Sequence, residues 1–333
     1  METGPSGPAF CRQALPARVD FVGPDAYSRG RLSGTAWRRR GIGFVRRQIR
    51  RATSGTRRVL FDTAEARGLR ERVAAVPIWW HSIDVGAGVT TPGRKSPEQL
   101  AAETAALALP ELRGKSVLDI GAWDGYFSFL AEERGASRVV ACDHFAWALD
   151  WDAKNAYKAD CQRRGVPAES FERVPGLWRY DELPGKRGFD LAHAARGSRV
   201  EALVADYQTL DAAALGAFDV VLYLGVLYHM ENPLASLRRV RELTKGVAII
   251  ETEAVAIGGF ENRAFAEFFP PGAKLLDDPT NHWSFNAPCV AGLCRTAGFD
   301  RVDVVSTPPR VRPGQVERYR VIAHAFVNGT QSD

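Results

Sequence analysis

Apolar residues in this chain recur in short runs separated by longer amphipathic stretches. The runs are "SVLDIG" (116–121), "RVVACD" (138–143), "VEALVAD" (200–206), "FDVVLYLG" (218–225) and "GVAIIETE" (246–253). Short, nearly continuous apolar runs of this kind predict strands buried on both faces. Between them lie helical stretches: "YFSFLAEERG", stopping near Gly135, "WALDWDAKNAYKADCQRRG", and "NPLASLRRVRELTK". In the last of these, Leu234, Leu237, Val240 and Leu243 share one helical face. Strands alternating with helices imply right-handed crossovers and a parallel sheet. The tail adds a helix near 287–297, then "RVDVV" and "RYRVIAHAFV", expected as an antiparallel pair at the sheet edge. The pattern therefore predicts an α/β fold: a doubly wound, mostly parallel seven-stranded sheet with helices on both faces, an antiparallel C-terminal edge and an N-terminal helical extension.

Ahead of the first strand, a helix is expected over 64–76. The aromatic "VPIWWHSIDVGAGVTTPG" (76–93) follows as an ordered loop, and Ser96-Pro97 opens a second helix toward Leu109. This divides the chain into a Gly/Pro-rich start with an arginine-rich arm (1–58), a helical and aromatic cap (59–110) and a main domain (111–330). Two long connections interrupt the main domain. Residues 164–198, with Pro167, Pro175 and Pro184, form an insert, and 258–286 read as a lid on the acceptor side.

Composition changes the picture in two places. Residues 26–61 hold eleven arginines with no lysine and no acid, while the rest of the chain carries more acidic than basic residues. Such an arm, centred on 29–58, can tether RNA phosphates. Alternatively, an amphipathic helix carrying Ile42, Phe44, Val45 and Ile49 packs on the chain's own body or on a sister subunit of a homo-oligomer. The five cysteines form no CxxC pair, which argues against disulfide scaffolds and zinc and for reduced cytoplasmic thiols. No apolar stretch is long enough to span a membrane, and no metal signature is present.

The candidate chemistry begins at the loop after the first strand. In an open parallel sheet, ligands bind outside the carboxyl ends of the strands. Here the loop reads Gly121-Ala-Trp-Asp-Gly125. A diphosphate would want a second glycine and no acid, so Trp123 and Asp124 argue against a nicotinamide dinucleotide. They suit a ligand with a cationic or amino-acid end facing Asp119 and Asp124. Asp143 ends the second strand, 22 residues beyond Gly121, where a carboxylate can accept from ribose hydroxyls. Asp206 ends the third strand, within reach of an adenine amino group. Together they point to a nucleoside cofactor without phosphates, for which S-adenosylmethionine is the fit. His144, Tyr207 and Leu224 flank these positions and are expected to line the same site.

At these residues the sequence resembles the class I S-adenosylmethionine-dependent methyltransferases, which carry the Rossmann-like fold. "VLDIGAWDGY", "VVACD", "VADYQTLD" and "FDVVLYLGVLYH" look like their first four motifs. "GVLYHMENPLASL" and the position of "WWHSIDVGAGVTTPG" are similar to the family containing the bacterial tRNA wobble-uridine carboxymethyltransferase. That resemblance implies that Tyr228 and Arg320 help hold the extra carboxylate of a carboxylated cofactor. The lysine expected with them is missing around Trp79–Asp84, where only His81 stands, so plain methyl transfer is expected. His229 is the first candidate base, with Glu251 and Glu253 as alternatives, and Tyr228 belongs to the same catalytic group. Trp80, His81, Glu267, Asn281, His282, Trp283 and Arg320 are expected on the acceptor side. The expected activity is methylation of a small metabolite, at oxygen. Its rivals are tRNA modification through the arginine arm and a non-catalytic S-adenosylmethionine-binding regulator.

Overall fold

The structure is a computed structural model that describes residues 63–270, 275 and 278–327. The start and arginine arm (1–58) lie outside the described residues.

Five parallel strands form the body of the sheet: β1 (Ser116–Ile120), β2 (Arg138–Asp143), β3 (Glu201–Val204), β4 (Phe218–Leu224) and β5 (Thr244–Ile257), in the order β3-β2-β1-β4-β5. The tail strands are β8 (Arg301–Val304) and β9 (Val316–Phe326). β9 runs antiparallel along β5 from Val247↔Phe326 to Ile257↔Val316, and β8 lies antiparallel outside it. These seven strands are the sheet the hydrophobic pattern predicts. Two short strands were not foreseen, β6 (Ala266–Phe268) and β7 (Trp283–Phe285). β7 touches β5 at Ala254↔Phe285. β9 already occupies one edge of β5 there, and β4 ends beside Glu251 on the other edge. β7 therefore continues the line of β4 past its carboxyl end and roofs the place where a ligand would sit.

The helices follow from local chemistry. α1 (Ala64–Ala74) is capped by Thr63, whose hydroxyl accepts from Ala66 N–H, and it buries Ala66, Leu69 and Val73. α2 (Pro97–Ala106) opens with the Ser96/Gln99 capping box and Pro97 in its first turn. It stops short of the expected Leu109, and Ala108 beyond it has φ +46°. α3 (Tyr126–Glu133), α4 (Phe145–Ala148), α5 (Trp151–Arg164), α6 (Arg187–Arg196), α7 (Ala212–Leu215), α8 (Pro233–Glu242) and α9 (Ala287–Thr296) complete the set. Asn232 caps α8, which buries Leu237 and Val240 as its apolar stripe implies. A cap of this kind contributes ~1 kcal/mol. Removing Leu237 down to alanine would cost ~2–5 kcal/mol.

Two apolar cores cover the two faces of the sheet. One packs α8 and α9 under Leu118, Val221, Tyr223 and Ile250. The other packs α1, the 79–89 loop, α3 and α6 over Val117, Val220, Leu222 and Ile249. A smaller cluster gathers Phe171 and Leu177 of the insert against Ala146, Leu149 and Trp151, so this stretch is folded onto the loop that follows β2. Among the described residues no helix is long and apolar enough to cross a membrane.

Candidate active site

Strand order reverses at β1, whose neighbours are β2 and β4, and the crevice opens at their carboxyl ends. Gly121 turns there with φ +79°, and its N–H donates to Cys142 O at 2.8 Å. A Cβ at this position would lie 2.7 Å from Val226 Cγ2, so the loops after β1 and β4 approach closely only because residue 121 is glycine. Asp119 is buried and accepts from Ser128 Oγ at 2.6 Å. Burial pushes its carboxyl up to about 6, against the pull of that hydrogen bond.

Trp123, the unusual residue of this turn, has φ +48°. Its ring lies between Trp80 and Trp151, each at 4.7 Å and 13°. Arg94 covers the far side of Trp80 at 5.5 Å, and Lys154 covers the far side of Trp151 at 4.4 Å. The left-handed backbone costs ~1–2 kcal/mol. Two ring stacks contribute ~0.5–1.5 kcal/mol each, which offsets that cost. The loop is thus clamped between the cap and α5 by a cation-ended tryptophan stack, and Trp147 Nε1 adds a hydrogen bond to Trp123 O at 2.6 Å.

Asp124 is 1% exposed, and it faces the cap. One oxygen accepts the backbone N–H groups of Trp80 and His81, both at 2.8 Å, and the other meets His81 Nδ1. Asp124, expected to receive a ligand's cationic end, instead has both oxygens engaged by the segment that carries Trp80 and His81. Thr91 secures the same segment, accepting from Ile83 N–H and donating to His81 O.

Asp143 is buried at the end of β2 and accepts from Trp123 N–H at 3.0 Å and Ala146 N–H at 2.9 Å. Burial raises its pKa, and those two donors oppose the rise. His144 follows it and meets Trp178 edge-on at 5.7 Å. Asp206 caps its own turn through Gln208 N–H. Tyr207, expected at the cofactor, lies in the core instead. Its hydroxyl contacts Tyr223 OH at 2.7 Å and Ser236 Oγ at 2.6 Å, and burial pushes it up to about 12. Residue 207 lies in the turn after β3, where Asp206 takes the Gln208 N–H and the Tyr207 phenol turns into the core to pair with Tyr223 and Ser236. Leu224 pairs with Glu251 at the end of β4.

On the acceptor side, β7 and the preceding turn rest on the 227–230 turn. His282 N–H donates to Tyr228 O at 2.9 Å, and Trp283 Nε1 donates to Met230 O at 3.0 Å. His229 Nδ1 lies 3.0 Å from both Thr280 O and Thr280 Oγ1. A carbonyl can only accept, so Nδ1 carries the proton and Nε2 keeps a free lone pair. Burial pushes the imidazole down to about 4, leaving it neutral near pH 7. Arg320 stacks 5.1 Å from the Tyr228 ring and grips Glu251 with Nε and Nη2, while Nη1 reaches Glu253 at 3.5 Å. Glu253 is 4% exposed, burial raises its pKa, and its Oε1 has no partner. Asn281 Oδ1, Ser284 Oγ and Thr252 Oγ1 are likewise buried without partners. Glu267 stands further out on β6, paired with Arg318 at 2.9 Å.

Tyr228, His229, Glu253 and Arg320 are thus brought together at one end of the sheet, with Asn281, His282 and Trp283 packed over them. Trp151, Lys154 and Thr280 were not singled out from the sequence. The tryptophan density of "WALDW" could have flagged the stack, but nothing local marks Lys154 or Thr280. The residues fit a nucleoside with an amino-acid tail. Carboxylates stand at adjacent strand ends, and the glycine turn between them carries no basic side chain. Among the described residues no cluster of His, Cys, Asp or Glu could hold a metal ion.

The family described as "Methyltransferase domain" matches residues 93–304. Curated relatives include the tRNA U34 carboxymethyltransferases of Chromohalobacter salexigens and Desulfotalea psychrophila. The first is 24% identical over 201 residues, covering 60% of this chain and 49% of that protein. The second is 25% identical over 203 residues, covering 60% and 50%. The chain therefore spans about half the length of these relatives. Among solved structures, the N-terminal domain of EvdMO1, determined in the presence of SAH and D-fucose, superposes with a TM-score of 0.50 at 16% identity. The match covers 80% of this chain and 99% of that one, and it is a likeness of fold.

Proposed function

Because the chain belongs to the methyltransferase-domain family, we propose that it methylates a hydroxyl oxygen of a small molecule with S-adenosylmethionine. When bound, that cofactor supplies a methyl group on a positively charged sulfur, which is already a good leaving group. The chain's residues then have to hold, align and deprotonate. Gly121 and Gly125 shape the turn, Asp143 accepts from the ribose hydroxyls, and Asp206 stands on the adenine side. His229 takes the proton that the acceptor hydroxyl loses as its oxygen becomes methylated.

The observation that carries this reading is the His229 contact: Nδ1 is pinned at 3.0 Å to the Thr280 carbonyl, which leaves Nε2 as a neutral acceptor at the end of β4. Plain methyl transfer, rather than the carboxymethyl transfer for which the curated relatives are named, is supported by Arg320. Its fork is filled by Glu251, and a carboxylate on the donor would have to displace that partner.

A second reading, modification of tRNA, draws on the names of the curated relatives and on the arginines of 29–58. One experiment separates the two. Methyl-labelled S-adenosylmethionine is offered in parallel to fractionated small molecules and to RNA. Label is expected in a small-molecule fraction and is lost with His229→Gln. Label confined to RNA, with binding that weakens steeply in salt, would establish the second reading. In the same preparation, calorimetry with S-adenosylhomocysteine should show Asp143→Ala binding ~1–3 kcal/mol more weakly through lost hydrogen bonds. Unchanged affinity removes Asp143 from the ribose.

A further inference from the structure

Beyond the base itself, a continuous polar chain leads from His229 into the body of the protein. Thr280 Oγ1, 3.0 Å from His229 Nδ1, donates its single proton to Asp278 Oδ1 at 2.7 Å, and Thr280 N–H donates to the same oxygen at 3.0 Å. The other oxygen, Oδ2, lies 3.5 Å from Lys154 Nζ. Lys154 is 8% exposed, and its ammonium sits over the Trp151 ring at 4.4 Å and the Phe171 ring at 4.7 Å. Every donor direction in this chain is determined. The ammonium donates to Asp278, and the Thr280 hydroxyl, having spent its proton there, presents only lone pairs to Nδ1. With the Thr280 carbonyl as a second acceptor, the imidazole proton has one stable place, on Nδ1.

We propose that Lys154 and Asp278 are positioning residues that act through Thr280 to hold His229 with Nε2 unprotonated and aimed by a fixed ring. The assignment rests on the reading of His229 as the base. Burying an ammonium is costly unless it is paired, and surface packing does not require it here. Its location joins two regions: through Trp151 it belongs to the stack that clamps Trp123 and the glycine turn, and through Asp278 it belongs to the segment over the acceptor side. An apolar residue would serve a purely structural role on these two rings equally well. What the ammonium adds is a charged partner that keeps Asp278 an acceptor. Burial works against the Asp278 charge, but Lys154 and the Thr280 donors outweigh it and hold its carboxyl below the ordinary range.

The test uses the full chain with S-adenosylhomocysteine bound and reads the His229 ring nitrogens by nitrogen-15 NMR at pH 7. The wild type should show one tautomer, protonated on Nδ1. Asp278→Asn lets an amide donate to Thr280 Oγ1, which frees the hydroxyl proton for His229. That variant and Lys154→Met should show mixed tautomers, with Lys154→Arg restoring the wild-type pattern. Methyl transfer into the labelled small-molecule fraction should fall roughly 10–100-fold in kcat for both variants, with acceptor KM little changed. Binding of S-adenosylhomocysteine should stay within about 3-fold, a difference well under one decade. An unaltered tautomer in both variants overturns the proposal, as does a kcat loss matched by an equal loss of S-adenosylhomocysteine affinity, which marks a fold defect. The base reading fails separately: His229→Gln with a wild-type rate would remove it, while the tautomer measurements on Lys154 and Asp278 would still report the coupling.

Discussion

The two walls of the crevice treat their buried polar groups differently. On the cofactor side, Asp119, Asp124 and Asp143 are each bonded to nearby protein donors, and the turn that carries Asp124 is locked in a tryptophan stack. On the acceptor side, Glu253, Asn281, Ser284 and Thr252 each keep a buried oxygen without a partner, and Arg320 is held by two carboxylates. A satisfied network is stiff, and an unsatisfied one carries a desolvation cost that a ligand's donors can relieve. Under the proposed function, the contrast describes one wall built in advance for a constant ligand and another whose chemistry is completed by the molecule that enters.

The strongest way to break this contrast is Asp124→Ala. It strands two buried backbone N–H groups and His81, and it should cost ~3–5 kcal/mol in denaturant unfolding. A loss under 1 kcal/mol would mean that the cofactor wall is not held by this carboxylate. Glu253→Gln is the counterpart: it keeps shape at a buried carboxyl whose Oε1 lacks a partner, and Arg320 keeps its grip on Glu251, so little stability should be lost.

Acid provides a second probe. The pKa of His229 lies near 4 in the folded chain, below the ordinary 6.5, so the unfolded chain takes up the proton first. Its contribution is fully present above about pH 6.5 and is lost as pH falls toward 4, by up to ~3 kcal/mol. Asp119 works in the opposite sense. Its folded pKa near 6 exceeds the ordinary 3.8, so the folded state takes the proton first and gains as pH falls through that window. Unfolding curves from pH 7 to 4 for the wild type and His229→Gln isolate the histidine: the variant should lose less stability over that range. Equal slopes would refute the burial of this ring.

A smaller effect than at Asp124 or His229 is expected at Trp123. Trp123→Gly removes two stacks but relieves the positive φ, and the net loss should be about 1 kcal/mol. Trp123→Ala keeps the strain and should lose more. If glycine were the worse of the two, backbone strain would not be what the stack offsets.

Much of this was legible along the chain. The strands β1, β2, β4 and β5 appear as apolar runs because burial on both faces leaves little room for alternation. The glycine turn is visible because a positive φ and a close approach to Val226 require that residue. The starts of α2 and α8 are marked by their capping residues. The partners were not legible. Asp124 looks the same in sequence whether it faces a ligand or the N–H groups of residues 80 and 81. Asp206 and Tyr207 are neighbours, yet one caps a turn at the surface and the other enters the core. Arg320 could be placed near Tyr228, but its engagement by Glu251 depends on the register of β9 against β5.

The sequence by itself determined the order of elements, the crevice at the end of β1 and the class of ligand the turn accepts. These depend on local periodicity, on glycine's backbone freedom and on charge type, which a linear pattern records. Only the tertiary structure decided which carboxylates are already spent, why Trp123 stands in the turn, and that Lys154, Asp278 and Thr280 line up behind His229. Those facts depend on pairings between residues tens to more than a hundred positions apart, and only the packing of the sheet, the cap and the 278–283 segment brings such residues within hydrogen-bonding distance.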